Sequence, residues 1–203
     1  MQKRFALVCV LLFAGLCMSE ATGEAQDRAQ GRSMVITPHG IVAAESPLAA
    51  QAGAMVLARG GHAVDAAIAA NAVMGLVAPM SNGIGGDLFA IVYDAKSGKY
   101  FGLNASGWAP KELTIEFLKS KNITRMPGRG IHAVTVPGAV DGWQKLSEKF
   151  GRMKLAEILQ PAIHYAENGF PVTEFVSGLW ASSERLARQN PEMWRVYYPR
   201  GRP

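Results

Sequence analysis

Three glycines and an acidic residue stand together in the segment PMSNGIGGDLFAIVYD, residues 79–94, and the backbone amides of such a loop could hold a phosphate group. A dinucleotide-binding loop needs the pattern G-x-G-x-x-G between a strand and a helix. If Gly83 and Gly85 were its first two glycines, the third position would be Leu88. The order of elements is also reversed, because an alanine-rich helical stretch precedes the loop and an apolar run typical of a strand follows it. We therefore predict that these glycines provide positive φ angles and close backbone contacts rather than a phosphate site.

Other residues that could perform catalysis or bind a metal lack suitable partners. The histidines are scattered, without a second ligand at the spacing that metal sites use, at His39, His62, His132 and His164. No G-x-S-x-G motif is present to carry the nucleophile of an α/β-hydrolase. The acids Asp65, Asp87 and Asp94 have no partner placed for general acid–base chemistry. The residues alone therefore predict no catalytic residue, no metal and no cofactor in this chain.

The composition of the 203 residues is that of a globular protein, with 49% apolar and 18% charged residues. A net charge of +5 is only mildly basic. Arginines are concentrated near the C-terminus beside aromatic residues, a mixture that could follow a phosphate backbone, at Arg185, Arg188, Arg195, Arg200 and Arg202 with Trp194, Tyr197 and Tyr198. Because Glu184 and Glu192 dilute this positive charge, no nucleic-acid partner is predicted.

The first residues have the pattern of an export signal. Lys3 and Arg4 precede an apolar run over residues 5–18, and small residues suited to signal peptidase follow. The run is shorter than the ~20 residues of a membrane-spanning helix. We predict a signal peptide over residues 1–25, a polar spacer over 26–33, and a periplasmic or secreted protein without a membrane span after signal cleavage. The mature chain would form no disulfide, because the signal contains both cysteines, Cys9 and Cys17.

Hydrophobic periodicity and turn residues predict helices and strands along the rest of the chain. Ser46 and Pro47 favour a helix start with the serine oxygen as its cap, and Gly60 favours its end through a left-handed residue. An amphipathic helix that contains Trp143 follows Pro137-Gly138. The other predicted elements are a second helix from Val64 or Asp65 to Pro79, a β-hairpin of residues 88–93 and 99–103, a helix at 115–121, a strand at 132–136, and a helical stretch at 155–169 that Pro161 breaks and Gly169 closes.

Four separated blocks of the sequence resemble, in order, the N-terminal part of a γ-glutamyltranspeptidase (γ-glutamyltransferase). The blocks are residues 45–94, NASGWAP at 104–110, VTVPGAVDGW at 134–143, and LAEILQPAIHYAENGFPV at 155–172. The resemblance implies an exported proenzyme of the N-terminal-nucleophile hydrolase superfamily that cleaves itself into a large and a small subunit. The new N-terminal threonine of the small subunit would attack the γ-glutamyl amide of glutathione or a related compound. Water or an amino acid would then accept the acyl group.

For this chain the resemblance implies a fold of the α/β (α+β) class, an incomplete part of a four-layer αββα sandwich. Residues 34–203 would be a partial large subunit with the nucleophilic threonine downstream, so the chain alone is expected to be inactive. The implied partners are a small-molecule γ-glutamyl substrate such as glutathione and the small subunit of the same precursor. The loop SNGIGGD would join a long helix to a central strand. Its glycines would serve close packing, and Asp87 would cap or orient nearby backbone without a catalytic role.

One position departs from the pattern of that family. In well-studied members an arginine in the segment matching NASGWAP pairs with the α-carboxylate of the γ-glutamyl group, and Ser106 occupies that position here. Some distant relatives carry an arginine two residues later, where this chain has Trp108. Ser106 is therefore the predicted substrate-binding residue, without the charge of the arginine. The alternatives are a related acylase that acts on glutaryl or cephalosporin-type amides, and a secreted binding module without catalysis.

Overall fold

The computed structural model describes residues 34–201, so the predicted signal peptide, the spacer, both cysteines and Arg202 lie outside the described residues. The chain divides into two units, Met1–Pro38 and His39–Pro203, and every element described here belongs to the second. The strands are β1 (Leu88–Asp94) and β2 (Lys99–Ala105). The helices are α1 (Pro47–Ala58), α2 (Ala63–Val77), α3 (Ile115–Ser120), α4 (Ala139–Phe150), α5 (Leu155–Ile158), α6 (Gln160–Asn168), α7 (Glu174–Ser182), α8 (Glu184–Ala187) and α9 (Pro191–Tyr197).

Helix α1 starts and ends where the sequence predicts, but its predicted side-chain cap is wrong. Ser46 is extended and precedes Pro47, yet its side chain accepts no cap hydrogen bond. The proline already removes one free amide from the first turn, and the Ser46 carbonyl accepts from the Ala50 amide at 3.0 Å. Gly60 has a φ of 89°, which confirms the predicted left-handed end of the helix.

Helix α2 is buried along most of its length and consists mainly of small side chains. It packs against α1, α4, α5 and α6. Small side chains let neighbouring helices approach closely, which explains how one helix can have so many neighbours. Its buried apolar residues are Val64, Ala66, Ile68, Ala69, Ala70, Ala72, Val73 and Val77.

Asp65 ties the start of α2 to the turn after α4. Its side chain is completely buried, at 0% exposure. Oδ2 accepts hydrogen bonds from the backbone amides of His62, at 2.7 Å, and Arg152, at 3.0 Å. The ring of His62 accepts from the Val64 amide at 3.3 Å and so completes the cap of the helix. Asp65 Oδ1 has no hydrogen-bond partner within residues 34–201.

Asn71 connects the middle of α2 to two other parts of the chain. Its Oδ1 accepts a hydrogen bond from the indole nitrogen of Trp143 on α4, at 2.8 Å. Its backbone carbonyl accepts from the side-chain amide of Asn82, in the loop before β1, at 3.2 Å. Asn71 therefore positions α4 through its side-chain amide and the glycine-containing loop through its backbone carbonyl.

The two strands form an antiparallel hairpin that covers the helices with one face. Leu88 lies opposite Ala105 at the open end, and Asp94 lies opposite Lys99 at the turn. Leu88, Ala90, Val92 and Leu103 pack against the buried cluster of α2 and α4. The opposite face exposes Phe89, Ile91, Tyr93 and Tyr100. The sheet therefore presents an apolar face that no part of residues 39–201 covers.

The predicted strand at residues 132–136 is wrong. Ile131–Ala133 forms one 3₁₀ turn, and Val134 is extended, with φ −95° and ψ 127°. A strand needs a ladder of hydrogen bonds to a neighbour. Among residues 34–201 the segment instead makes one backbone hydrogen bond to another segment, from the Val136 amide to the Trp108 carbonyl oxygen at 3.0 Å.

The other predicted elements are confirmed with small shifts of their ends. Thr114 caps α3 by accepting from the Phe117 amide at 3.1 Å. The predicted break by Pro161 separates α5 from α6 at Leu159, and Gly169, with a φ of 80°, ends α6. No helix within residues 34–201 is both long and apolar enough to cross a membrane.

Two arginines of the C-terminal segment, Arg188 and Arg195, bind neighbouring groups of the same segment. Arg188 pairs with Glu184 at 2.7 Å, and its guanidinium lies 4.2 Å from the centre of the Trp194 ring. Arg195 pairs with Glu192 at 2.9 Å. Arg188 therefore contacts an aromatic ring, and both arginines pair with the acids that offset their positive charge.

We expect Asp65→Ala to lower the free energy of unfolding by about 2–4 kcal/mol, because two backbone amides would lose their acceptor in a buried place. Urea unfolding followed by tryptophan fluorescence, to which the buried Trp143 contributes, measures the change. Asp94→Ala is the control, since Asp94 also accepts two hydrogen bonds, from the Lys96 amide and the Ser97 hydroxyl, but at the surface. Its loss should be clearly smaller, and equal losses would contradict the role assigned to burial.

Candidate functional site

Ser106 lies directly after β2, at the open end of the hairpin. Because Leu88 and Ala105 are the last pair of the sheet, Asp87 and Ser106 flank the same end of it. The Ser106 amide donates to Asn104 Oδ1 at 2.9 Å, and its half-buried hydroxyl makes no hydrogen bond within residues 34–201. That hydroxyl is thus free to form a single neutral hydrogen bond with a bound molecule.

Two glycines hold the segment around Ser106 close to the segment that precedes α4. A Cβ atom at Gly107 would lie 1.4 Å from the Val136 carbonyl oxygen, and one at Gly138 would lie 2.1 Å from the Ala105 carbonyl oxygen. The Trp108 carbonyl accepts a hydrogen bond from the Val136 amide. Trp108 itself is 88% exposed. Only glycine permits this approach, so the backbone on both sides of Ser106 is held in place.

The glycine-containing loop differs from its predicted role. Neither Gly83 nor Gly85 has a positive φ, and a Cβ atom at either would meet no atom within 4 Å in residues 34–201. The prediction of positive φ angles and close packing at these two positions is therefore wrong. The loop uses its backbone instead, because the Gly86 carbonyl accepts from the amides of Gly138 and Ala139, both at 3.0 Å, at the start of α4. A carbonyl in this position satisfies amides that a helix leaves free at its N-terminus.

Asp87 contacts a side chain rather than the backbone that was predicted for it. Its Oδ1 accepts a hydrogen bond from the Thr135 hydroxyl at 2.9 Å. The two residues are separated by 48 positions in the sequence. Asp87 therefore orients the segment before α4 through Thr135.

The remaining titratable residues that the sequence analysis considered lie elsewhere. His62 caps α2, and the ring of His164 contacts Asn168 Nδ2 at 3.3 Å on α6. Asp94 lies at the opposite end of the hairpin, where the hydrogen bond from the Ser97 hydroxyl lowers the pKa of its carboxyl. Within the part of the chain that the structure describes, no three His, Cys, Asp or Glu side chains are grouped so that they could hold a metal ion.

Sequence reasoning missed the residues that support Ser106. Asn104 and Gly107 lie in the block NASGWAP, and Thr135 and Gly138 lie in VTVPGAVDGW. The pattern T-x-P-G before an amphipathic helix was a signal, since a hydroxyl residue and a glycine stand there where the chain enters α4. Their partners lie in distant parts of the sequence, and no local pattern reveals that pairing.

Comparisons with known proteins agree on one family. The sequence profile of the γ-glutamyltranspeptidase family matches residues 49–203. The glutathione hydrolase-like YwrD proenzyme of Bacillus subtilis is 41% identical over 143 residues, which are 70% of this chain and 26% of that protein. The crystal structure of the Helicobacter pylori γ-glutamyltranspeptidase has a TM-score of 0.77 at 28% identity, over 83% of this chain and 49% of that one. The cephalosporin acylase of Bacillus halodurans has a TM-score of 0.72 at 38% identity, over 84% of this chain and 34% of that one.

These similarities confirm the predicted fold class. Helices packed on a small sheet form an incomplete part of the N-terminal-nucleophile hydrolase fold of the solved relatives. The chain spans about a quarter of the length of the YwrD proenzyme and about half of the H. pylori chain. The substrate-binding role of Ser106 stays a prediction.

We expect Gly107→Ala to lower the free energy of unfolding by about 1–3 kcal/mol, because the new Cβ would overlap the Val136 carbonyl and force the two segments apart. Gly85→Ala is the matched control, since open space surrounds that position, and its effect should stay within ~0.5 kcal/mol. Urea unfolding of both variants measures the difference. A larger loss for Gly85→Ala would contradict the packing described here.

Proposed function

Because this chain belongs to the γ-glutamyltranspeptidase family, we propose that it is part of an exported proenzyme that cleaves γ-glutamyl amides such as glutathione and transfers the acyl group to water or an amino acid. The match of the family profile over residues 49–203 is the observation that carries the proposal. The name of the YwrD relative supports a precursor that is processed, since that protein is a proenzyme. Residues 1–25 would direct export as a signal peptide.

Within this enzyme the chain would supply part of the large subunit and the segment around Ser106. The nucleophile would be the N-terminal threonine of a small subunit, activated by its own amine. The contacts of the two hydroxyls in and beside the candidate site, those of Ser106 and Thr135, support this division of roles. The Ser106 hydroxyl makes no hydrogen bond within residues 34–201, and the Thr135 hydroxyl donates to a carboxylate, so neither is paired with a histidine or an amine that would activate it.

The residue at position 106 bears on which acyl group is accepted. A guanidinium there would form a bidentate, charge-assisted pair with a substrate α-carboxylate, whereas a serine offers one neutral hydrogen bond. A second candidate function is therefore an acylase for amides without that carboxylate, such as glutaryl or cephalosporin-type amides. The similarity to the cephalosporin acylase of B. halodurans favours it.

The 203-residue chain by itself should have no amidase or transpeptidase activity, because the proposed nucleophile is not part of it. A γ-glutamyl anilide assay on the purified chain, with and without an acceptor amino acid, measures this. The processed full-length protein is the positive control. Turnover by the chain alone would contradict the placement of the nucleophile.

Ser106→Arg in the full-length protein should raise kcat/KM for a γ-glutamyl anilide relative to a glutaryl anilide. Charge-assisted hydrogen bonds exceed neutral ones by about 0.5–2 kcal/mol, so the ratio should rise by up to about thirtyfold. Ser97→Arg, which adds the same charge at the hairpin turn, is the control and should leave the ratio unchanged. A wild-type protein that already prefers the γ-glutamyl compound by several orders of magnitude would show that another residue holds the carboxylate.

A further inference from the structure

We propose that Asp87 and Thr135 are positioning residues for substrate recognition, and that their hydrogen bond sets the place of Ser106 and Trp108 at the open end of the hairpin. The inference rests on the proposed function, because it concerns the same acyl-binding segment. We use the name junction for the three segments that meet there, residues 86–87, 105–108 and 134–139.

The junction joins parts of the chain that have different neighbours. Residues 86–87 lead into β1, residues 105–108 leave β2, and residues 134–139 lead into α4. The Thr135 hydroxyl donates to Asp87 across 48 positions of sequence. Residues 134–139 contact both of the other segments, so a displacement of residues 134–139 changes the contacts of all three.

The segment before α4 depends on few hydrogen bonds, since residues 134–137 belong to no helix or strand. Three of its bonds join backbone to backbone, from Val136 to Trp108 and from Gly138 and Ala139 to Gly86. Side-chain substitution leaves those donors and acceptors in place. Within residues 34–201, the bond from Thr135 to Asp87 joins two segments of the junction through side chains, so substitution can remove it selectively.

Movement of Thr135 is transmitted directly to the recognition segment. The next residue, Val136, donates its amide to the Trp108 carbonyl, and its own carbonyl lies against Gly107 without room for a Cβ atom. A shift of Val136 therefore shifts the backbone between Ser106 and Trp108. Small errors in the position of binding groups weaken substrate recognition strongly, which makes this contact matter for KM.

The test is a set of variants in the processed full-length protein, assayed with γ-glutamyl and glutaryl anilides. We expect Thr135→Val, which replaces the hydroxyl with a methyl group of similar size, to raise KM for the better substrate by about two- to tenfold while kcat changes less. Thr135→Ser restores a hydroxyl and should return KM toward the wild-type value. Ser97→Ala is the matched control, because it removes a hydroxyl-to-aspartate hydrogen bond at the other end of the same hairpin and should leave KM unchanged.

A double-mutant cycle tests whether the two residues act through their shared bond. Asp87→Ala combined with Thr135→Val should raise KM no more than either substitution alone. Additive effects would overturn the inference. If Thr135→Val does not fold, Asp87→Asn and Asp87→Ala are compared instead. Asparagine keeps the accepting Oδ1 and alanine removes it, so only Asp87→Ala should raise KM.

The outcomes separate this inference from the proposed function. Suppose that the wild-type protein cleaves an anilide and that the KM of Thr135→Val equals that of wild type or of Ser97→Ala. This result would overturn the positioning role alone. A wild-type protein that cleaves neither anilide overturns the proposed function and the recognition role together. In that case, amide hydrogen exchange at Val136 tests the structural coupling between Thr135 and Val136. An exchange rate that is the same in wild type and Thr135→Val would refute this coupling.

Discussion

Burial of α2 on most of its faces is the constraint from which the rest of the fold follows. A polar group in such a place is costly unless it is hydrogen-bonded, so Asp65 and Asn71 need partners. They find them far along the chain, at the Arg152 amide, 87 positions away, and at the Trp143 indole, 72 positions away. The hydrogen-bonding needs of these two side chains on α2 therefore determine where α4 and the turn after it lie.

The position of α4 in turn determines the geometry of the candidate site. A Cβ atom at Gly142 would lie 2.8 Å from the side chains of both Ala105 and Leu88, so the helix rests directly on the open end of the hairpin. Its first amides bond to the Gly86 carbonyl. Ser106 therefore stands at a place that the core of the protein controls, although the residue itself is half-buried at the edge.

This scaffold is similar both to a glutathione hydrolase-like proenzyme and to a cephalosporin acylase, so the fold by itself does not select the acyl group. The choice between acyl groups must come from individual side chains that the fold positions. If Ser106 contacts the substrate as proposed, a neutral hydroxyl in place of a guanidinium would change the chemistry available to a substrate carboxylate. The exposed indole of Trp108 adds a flat apolar surface two residues further on.

Local patterns in the sequence were sufficient for the hairpin and for most helix ends, because periodicity, prolines and glycines act over a few residues. The left-handed Gly60 and the break at Pro161 are examples. The family was predicted from the resemblance of four separated blocks of sequence, and the match of the family profile confirms it. Tertiary structure alone decided that residues 132–136 form no strand, that Gly107 and Gly138 rather than Gly83 and Gly85 pack closely, and that Asp87 bonds to Thr135. Each of these depends on a partner tens of residues away, and a hydrogen bond or a close approach is determined only when the fold brings the two segments together.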